Sequence, residues 1–508
     1  MNSTDSTADG ARRRGFPIVL TADRTLIAGH RLLLDGMITA SQTNGAPAFF
    51  VKGFLAPRAP GRLRAVTAPL GLRRIEAALL AGGFARADVA VVAPESLSTA
   101  VGPDTRIVGL SSGDPLGLGM NTNTMEGIAG GRAFTHLWFR RLCAELARHK
   151  SRRAFKLVAG GPGAWQLTRP GAMSRLGIDC VVAGYAESCV ADVFRRIVSG
   201  RELGQLEECP PGATPLPIRG ASTMGVVEIS RGCGRGCGFC SIRSEPMRHA
   251  SPSLVCADVD TNLAAGSHGA ALISEDFFRY GAAPSGWAAP QALLDLLREL
   301  RRIKSLGPMQ IDHANVASIA RFDSAALAEV RALLAGPAPG FWPWVNVGVE
   351  TASAALLCHN GGACKIRPHR DEDWPGLCRE QVTRLASAGF MPMVSLVMGL
   401  EGETPSDVEK TLAWVRGLRN ERVTIFPMFC APLDDRPPFT TRDMTRLHWR
   451  LFQECYELNF RWMPRLFWNN QTAFGISLPR RLAIQALGRG QVAWWRMLFA
   501  LRSRGWNP

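Results

Sequence analysis

Three cysteines in a short loop constrain this 508-residue chain more than any other feature of its sequence. Cys233, Cys237 and Cys240 have the spacing C-x3-C-x2-C. An apolar segment typical of a β-strand, 225–230, leads directly into them. Iron–sulfur clusters with four irons ordinarily take four cysteine ligands, so three thiolates leave one iron open to a small chelating ligand. Because glycines separate the cysteines and let the loop wrap closely, we predict a 4Fe-4S cluster here.

A zinc site is the alternative interpretation of this loop. Zinc knuckles usually pair two C-x2-C units or add histidines, because a structural zinc ion takes four ligands. The nearest further candidates along the chain are His249 and Cys256, and neither lies close to the three cysteines in sequence. The spacing therefore favours the cluster over zinc.

The loop resembles that of the radical S-adenosylmethionine (SAM) enzymes, and the match includes the aromatic Phe239 before the last cysteine. The resemblance implies that Phe239 lies near the SAM adenine. Ser274 and Glu275 stand where the family has its segment that binds the SAM amine. Glu350 belongs to a Gly-x-Glu-Thr run that matches a family segment whose glutamate often reaches SAM. The turn 399–404 resembles the family's Gly-x-Pro-Gly-Glu-Thr, with glutamate in place of proline.

The region behind the cysteines is predicted to form six β/α units. Its strand-like segments alternate with helical ones, and they are 226–230, 271–274, 309–312, 345–350, 392–398 and 423–428. Six such units make an open version of the parallel (β/α) barrel, here a partial TIM barrel, whose active sites gather at the carboxyl ends of the strands. Ser395, Asp312 and His313 fall at such ends. We expect Ser395 to contact a cofactor, and Asp312 and His313 are the candidates for proton transfer.

The first 200 residues show a different alternation of strands and helices. Apolar runs at 16–20, 89–93, 107–111, 156–160 and 180–183 are separated by helical stretches such as 134–149. This pattern is typical of a doubly wound parallel sheet, which is Rossmann-like in architecture and binds ligands beyond the carboxyl ends of its strands. The loops at those ends are rich in glycine, which permits close approach of a bulky ligand.

These loops resemble those of the cobalamin-binding domain that precedes many radical SAM modules. The resemblance assigns cofactor contacts to five residues: Ser111, Gly160, Gly161, Gly184 and Glu187. The histidine motif D-x-H-x-x-G that ligates cobalt in many such domains is absent from the sequence, so Leu116 or Leu118 is a candidate for the lower face of the cobalt. A doubly wound domain that binds a nucleotide, or nothing, is the alternative.

The sequence thus predicts an α/β protein with five regions. They are a disordered tail (1–14), a cobalamin-binding-like domain (15–202), a Pro-rich linker (203–222), a radical SAM core (223–435) and a helical, Arg- and Trp-rich C-terminal region (436–508). The last region contains 12 Arg, no Lys and three acidic residues. Its basic helix, 491–502, either packs a Trp face on the barrel or contacts a membrane surface.

Composition limits the remaining possibilities. No apolar run approaches the length of about 18 residues that a transmembrane helix needs, and the cysteine count of 13 is odd. We expect a cytoplasmic protein in which most cysteines outside the loop are small buried hydrophobes. The net charge of +16 fits a high-Arg solvated surface as well as it fits an anionic partner, and we expect no nucleic acid.

The resemblance implies a cobalamin-dependent C-methyltransferase. Such an enzyme uses a 4Fe-4S cluster to cleave SAM to a 5′-deoxyadenosyl radical and uses methylcobalamin to deliver methyl to an unactivated carbon. A cyclase or rearrangement enzyme with the same cofactors is one alternative, and a non-enzymatic sensor with a docking tail is another. The substrate is a small molecule of unknown class, such as a lipid, a tetrapyrrole or a natural-product intermediate. A flavodoxin or ferredoxin is the expected electron donor.

Overall fold

The structure is a computed structural model that describes residues 15–504, except 47, 60, 62, 211, 213, 244, 284, 285, 288 and 289. The predicted disordered tail, 1–14, and Trp506 lie outside the described residues. The chain divides into two compact units. Unit 1 contains Asp35–Leu118, Gly131–Thr223 and the residues before Leu32; unit 2 contains Leu32–Leu34, Gly119–Gly130 and the chain from Met224 onward.

Seventeen strands occur in the described part of the chain. They are β1 (Ile18–Ala22), β2 (Thr67–Ala68), β3 (Val89–Val91), β4 (Ile107–Ser111), β5 (Lys156–Gly160), β6 (Cys180–Ala183), β7 (Leu206–Glu208), β8 (Ala221–Ser222), β9 (Val226–Glu228), β10 (Ser230–Arg231), β11 (Arg248–His249), β12 (Ala270–Ile273), β13 (Met309–Ile311), β14 (His313–Ala314), β15 (Trp344–Glu350), β16 (Met391–Met398) and β17 (Thr424–Phe429).

The α-helices of the described residues range from one turn to 28 residues. They are α1 (Arg24–Ile27), α2 (Leu33–Ala40), α3 (Ala48–Phe50, continued by a π-turn, Val51–Leu55), α4 (Leu70–Ala81), α5 (Leu97–Ala100), α6 (Met120–Ala129), α7 (Phe134–Lys150), α8 (Ala164–Leu167), α9 (Ala172–Leu176), α10 (Val190–Val198), α11 (Pro252–Ala264), α12 (Pro290–Arg301), α13 (Val316–Ile319), α14 (Ser324–Ala335), α15 (Ala354–His359), α16 (Ala363–Ile366), α17 (Trp374–Ser387), α18 (Pro405–Arg416), α19 (Arg446–Ala473) and α20 (Leu478–Arg504).

Unit 1 is built on a six-stranded parallel sheet with the order β3-β1-β4-β5-β6-β7. Alternate residues of its strands enter two separate cores. Val19 and Val108 belong to one core, whereas Ile18 and Ile107 belong to the other. Because successive side chains of a strand point to opposite faces, both faces of the sheet are covered. The parallel sheet predicted for this region is confirmed.

Unit 2 contains two parallel sheets whose strands follow the chain. β9, β12 and β13 form the first sheet, and β14, β15, β16 and β17 form the second. Asp312 alone separates β13 from β14 in the chain. Each of the six predicted strand segments contains a strand, and the segment 226–230 is divided between β9 and β10. Their closure into one open barrel stays a prediction. A single apolar core contains buried residues from all seven strands of these two sheets.

The C-terminal region is helical, as predicted, but its helices are longer than the pattern indicated. α19 runs for 28 residues to Ala473, although Pro464 lies inside it. α20 runs from Leu478 and contains the predicted 491–502 segment. No helix in the described residues is long and apolar enough to cross a membrane.

The predicted linker, 203–222, is partly ordered secondary structure. β7 pairs with β6 at the edge of the sheet in unit 1, and β8 pairs with β2. The apolar-run criterion missed β7 because its sequence, Leu-Glu-Glu, carries two carboxylates, which an edge strand exposed to solvent tolerates. The region predicted to be a linker therefore contributes two short strands to the described structure.

Candidate cofactor site

The cysteine loop follows β9 and β10 and is held by backbone hydrogen bonds. The amide of Cys233 donates to Glu245 O at 3.0 Å, and that of Gly238 donates to Asn360 O at 2.9 Å. Gly232 adopts φ +75°, and a Cβ atom there would lie 2.4 Å from Pro246 O. Glycine is required at this position, because any side chain would both strain the backbone and collide with a neighbouring carbonyl.

The three thiols share one environment. Cys237 is buried, and Cys233 and Cys240 are half-buried. Burial raises the pKa of the Cys237 thiol to about 11, an effect opposed by the positive charge of Lys365. Burial also raises the pKa values of Cys233 and Cys240, and Cys237 and Cys240 each feel the negative charge of another of the three thiols. Because burial favours the neutral thiols, positive charge nearby is needed to stabilise the three thiolates that would bind a cluster.

Arg235, inside the loop, supplies one such charge. Its guanidinium forms a 2.8 Å ion pair with Asp276 and also donates to Ser318 Oγ at 3.0 Å and to Cys364 O at 2.6 Å. Asp276 is fully buried and accepts two further hydrogen bonds, from Ser318 Oγ at 2.7 Å and from the amide of Asn315 at 3.1 Å. The network fixes the middle of the cysteine loop to the end of β12. The sequence analysis did not identify Arg235, although its position between two of the cysteines was a signal.

Lys365, at the end of α16, is the second buried cation beside the thiols. Its ammonium contacts the carboxylate of Glu350, which also accepts a 3.3 Å hydrogen bond from Ser395 Oγ. Glu350 ends β15 with φ +64°, a left-handed conformation that is uncommon for a residue with a side chain. Glu350 and Ser395, both sequence-predicted, therefore lie together. Lys365 was missed, since nothing in the local sequence distinguishes it from a surface lysine.

The remaining residues predicted to contact SAM have different surroundings. Ser274 is buried, and its hydroxyl lies 2.5 Å from Ser230 Oγ and accepts from the amide of Asp276 at 3.1 Å. Those bonds join the ends of β10 and β12. Glu275 reaches solvent but is surrounded by enough protein that desolvation raises its pKa, against the opposing charge of His313. Phe239 is half-buried and packs against two apolar clusters of unit 2.

Asp312 and His313 form a 2.5 Å ion pair at the junction of β13 and β14. Burial alone would lower the pKa of His313, but the charge and hydrogen bond of Asp312 outweigh it and, with Glu275 and Glu350, raise the pKa to about 9. The imidazole is therefore a cation at neutral pH. Its side chain keeps 47% of its exposure, so it can donate to a ligand while Asp312 holds its Nδ1.

These side chains fit a negatively charged cluster with three thiolate ligands. Two buried cations, Arg235 and Lys365, act on the thiols. In the described part of the chain, no three His, Cys, Asp or Glu side chains converge on the position of a single metal ion. A four-iron cluster differs from a single ion in this respect, because each thiolate binds its own iron. Glu350, Glu275 and Ser395 carry oxygen acceptors of the kind that would bind an amine.

The loops at the carboxyl end of the sheet in unit 1 form a second candidate site. Ser111 ends β4 and is buried; the next residue, Ser112, donates to Gly160 O from both its amide and its hydroxyl at 2.9 Å. Gly161 has φ +92°, and a Cβ atom there would lie 2.9 Å from Ser111 Oγ and Ser112 O. Gly161, which the sequence predicts to make room for a ligand, is therefore already required because the two loops pack closely on each other.

The predicted residues after β6 are more open. Gly184 is exposed with φ +87°, and Glu187 is half-buried in the short turn Ala186–Ser188. Cys189 follows and forms a disulfide with Cys209, beside the end of β7. The expectation that the scattered cysteines are mostly buried hydrophobes is wrong for this pair and for Cys364, which is exposed. Spacing alone did not indicate the pair because 20 residues separate its members.

The sequence comparisons find partial similarity to two kinds of methylthio-transferring protein. No family model matches the chain. Ribosomal protein uS12 methylthiotransferase RimO of Desulforudis audaxviator is 23% identical over 258 residues, which cover 49% of this chain and 52% of that protein. The tRNA-2-methylthio-N(6)-dimethylallyladenosine synthase of Streptomyces viridosporus is 24% identical over 274 residues, or 53% of this chain and 50% of that protein. The chain spans about half the length of these curated relatives.

One solved structure shares the fold of the chain. Apo OxsB, described as a cobalamin-dependent S-adenosylmethionine radical enzyme, has a TM-score of 0.50 and 14% identity over 87% of this chain and 56% of its own. The radical S-adenosylmethionine methyltransferase TsrM from Kitasatospora setae has a TM-score of 0.49 and 16% identity over 82% and 75% of the two chains. The chain is similar in fold to a radical S-adenosylmethionine enzyme and, over about half of its length, similar in sequence to methylthiotransferases. Its mixed α/β fold with parallel sheets agrees with that likeness.

Proposed function

We propose that the chain is a cobalamin-dependent radical SAM C-methyltransferase. The observation that carries the proposal is the grouping of three thiols of one loop with two buried cations, Arg235 and Lys365, at the carboxyl ends of parallel strands. When bound, the cluster would supply the electron that cleaves SAM, and cobalamin would supply the methyl group. Cys233, Cys237 and Cys240 would hold the cluster.

Glu350 would bind the SAM amine. Lys365 and Ser395 already hold its carboxylate in place. Binding of the SAM ammonium would therefore cost little conformational entropy at Glu350. Glu275 would add a second acceptor, and Phe239 would pack against the adenine, in line with the family resemblance. Ser274 would position neighbouring residues rather than contact SAM, because its hydroxyl already forms hydrogen bonds with Ser230 and Asp276.

His313 would act as a hydrogen-bond donor or acid. A residue whose pKa is raised to about 9 is protonated at neutral pH, so it cannot accept a proton there. Held by Asp312, the imidazolium would bind an anionic or carbonyl group of the substrate. This role favours a substrate that carries such a group near the reacting carbon, whether lipid, tetrapyrrole or another natural-product intermediate.

The sheet of unit 1 would bind cobalamin. Support comes from its parallel topology and from its fold-level likeness to a cobalamin-dependent enzyme. Ser111, Gly160 and Gly161 would shape one side of the site, and Gly184 and Glu187 would approach from the loop after β6. The six β/α units of unit 2 would close into an open barrel around SAM. A flavodoxin or ferredoxin would reduce the cluster, since radical SAM enzymes need an electron donor.

Anaerobic turnover of the reconstituted protein tests this proposal. With a chemical reductant, SAM and hydroxocobalamin, the protein should form 5′-deoxyadenosine, and Cys237→Ala should abolish that activity. The conservative control Cys455→Ala changes a buried cysteine of α19 that lies far from the loop in sequence. With a substrate in hand, product mass should rise by one methyl group per turnover. A product of unchanged carbon count would instead identify a cyclase or rearrangement enzyme.

A further inference from the structure

Helix α20 packs on α19 through one face. Trp495 stacks on Tyr456 with ring centroids 5.3 Å apart, and Phe499 meets Tyr456 edge-on at 5.2 Å and Phe452 at 5.6 Å. Phe499 is 5% exposed. These aromatic contacts fix the rotation of α20 about its axis, so the direction in which its other side chains point is determined.

The opposite side of α20 exposes a row of large apolar side chains. Leu487, Trp494, Met497 and Leu501 retain 37%, 56%, 47% and 60% of their exposure. Three of them recur every seven residues, which is close to two helical turns, and Met497 lies beside them. We name these four residues the α20 stripe. Contiguous exposed apolar side chains of this size mark a surface that meets an apolar partner.

Charge decides which partner fits the α20 stripe. Arg489 and Arg496, also seven residues apart, lie on the other flank of α20, and Arg496 reaches α19 through a 2.8 Å ion pair with Glu457. From 458 to 508 the sequence contains eight Arg and no Lys, Asp or Glu. A second copy of the chain meeting this face would bring like charges together. Nucleic acid would satisfy the arginines but not the leucines and tryptophan.

We propose that the α20 stripe docks on the surface of an anionic lipid bilayer. Helices that lie in a membrane interface combine Trp and Leu on one side with basic residues that reach the headgroups, and both features are present here. Trp suits this position because its ring is apolar while its N–H can bond to headgroup or water. The bilayer would be contacted from its surface, since α20 packs on α19 along its other face.

Vesicle co-sedimentation of the full-length chain tests the proposal. The probes are vesicles of phosphatidylcholine alone and of phosphatidylcholine with about one third phosphatidylglycerol, at low and high salt. We expect binding to the anionic vesicles that weakens with salt. Trp494→Gln and Leu501→Gln should each weaken it roughly tenfold or more, and Arg489→Gln about fivefold. Trp287→Gln is the matched control, because Trp287 is 43% exposed elsewhere on unit 2 and should leave binding unchanged.

The competing occupants give different results. If Trp494→Gln changes the mass measured by light scattering but not vesicle binding, a second copy covers the α20 stripe and the proposal is wrong. If RNA binds and the apolar variants leave that binding intact, the arginines serve nucleic acid and the proposal is again wrong. Circular dichroism of each variant separates a lost surface from a lost fold. SAM cleavage should be unaffected in all of them, so the result stands apart from the proposed chemistry.

Discussion

The buried Arg235–Asp276 pair yields the sharpest prediction. Asp276→Asn preserves the volume and most of the hydrogen-bonding shape of the side chain but removes its charge. Arg235 then remains 8% exposed without its counter-ion. Breaking a buried pair by neutralising one partner costs about 3–5 kcal/mol, because the other charge stays desolvated. No cavity forms, so that range is the whole expected loss.

Hydrogen exchange measured by mass spectrometry at increasing urea concentration is the appropriate assay. The chain has two compact units, and a single unfolding free energy would mix them. Peptides from 229–240 and 309–320 should lose about 3–5 kcal/mol of protection, whereas peptides of β1 and β4 should not change. The matched control is Asp434→Asn, which removes an exposed pair with Arg436 at 3.0 Å and should have no measurable effect.

The double variant Arg235→Met with Asp276→Leu completes the test. Replacing both charges with apolar groups should recover part of the stability, because no uncompensated charge remains, although Ser318 and the Asn315 amide lose hydrogen-bond partners. A loss below about 1 kcal/mol for Asp276→Asn would refute the reasoning, since it would mean that solvent or another group already compensates Arg235. A double variant as unstable as the single one would point to lost packing instead.

Three further predictions concern the same unit. Gly232→Ala should prevent iron incorporation, since its Cβ would lie 2.4 Å from Pro246 O. Gly236→Ala shares the φ of +75° but has nothing within 4 Å of its Cβ, so it carries the backbone strain without the collision and should retain more of the cluster; iron analysis decides. Lys365→Met should lower the midpoint potential of the reconstituted cluster in a redox titration followed by electron paramagnetic resonance, and Lys365→Arg should restore it. His313 has a folded pKa of about 9, above its ordinary value of 6.5, so its stabilisation is present below pH 6.5 and is lost as the pH rises through 9. Allowing for its exposure, the loss is about 1 kcal/mol in urea unfolding of unit 2, and His313→Gln should abolish it; a profile identical to wild type would contradict the assignment.

Much of the fold follows from local pattern. β4, β5 and β6 have the predicted bounds because each is a short apolar run between glycine-rich or charged turns, and such runs are buried on both faces of a parallel sheet. α7 is one residue longer than predicted at its C-terminus. β7 was missed because a polar edge strand lacks the apolar signal.

The site was less predictable than the strands. The sequence placed Glu350 and Ser395 at neighbouring strand ends; the two side chains do meet, but Ser395 lies inside β16, three residues before its end. The partners that fix the loop are distant in sequence: Arg235 contacts Asp276, Ser318 and Cys364, up to 129 residues away. Such contacts depend on tertiary packing, which no local pattern reports. At Gly161 the packing of one loop on another already requires glycine, so its contact with a ligand stays a prediction.

The central claim is that one chain holds both an iron–sulfur cluster and cobalamin. Anaerobic purification with added hydroxocobalamin, followed by analysis of iron, sulfide, cobalt and zinc, measures this directly. We predict about four iron atoms and about one cobalt per chain, with iron lost in Cys233→Ala. Iron without cobalt would contradict the role proposed for unit 1, and zinc without iron would contradict the assignment of the cysteine loop itself.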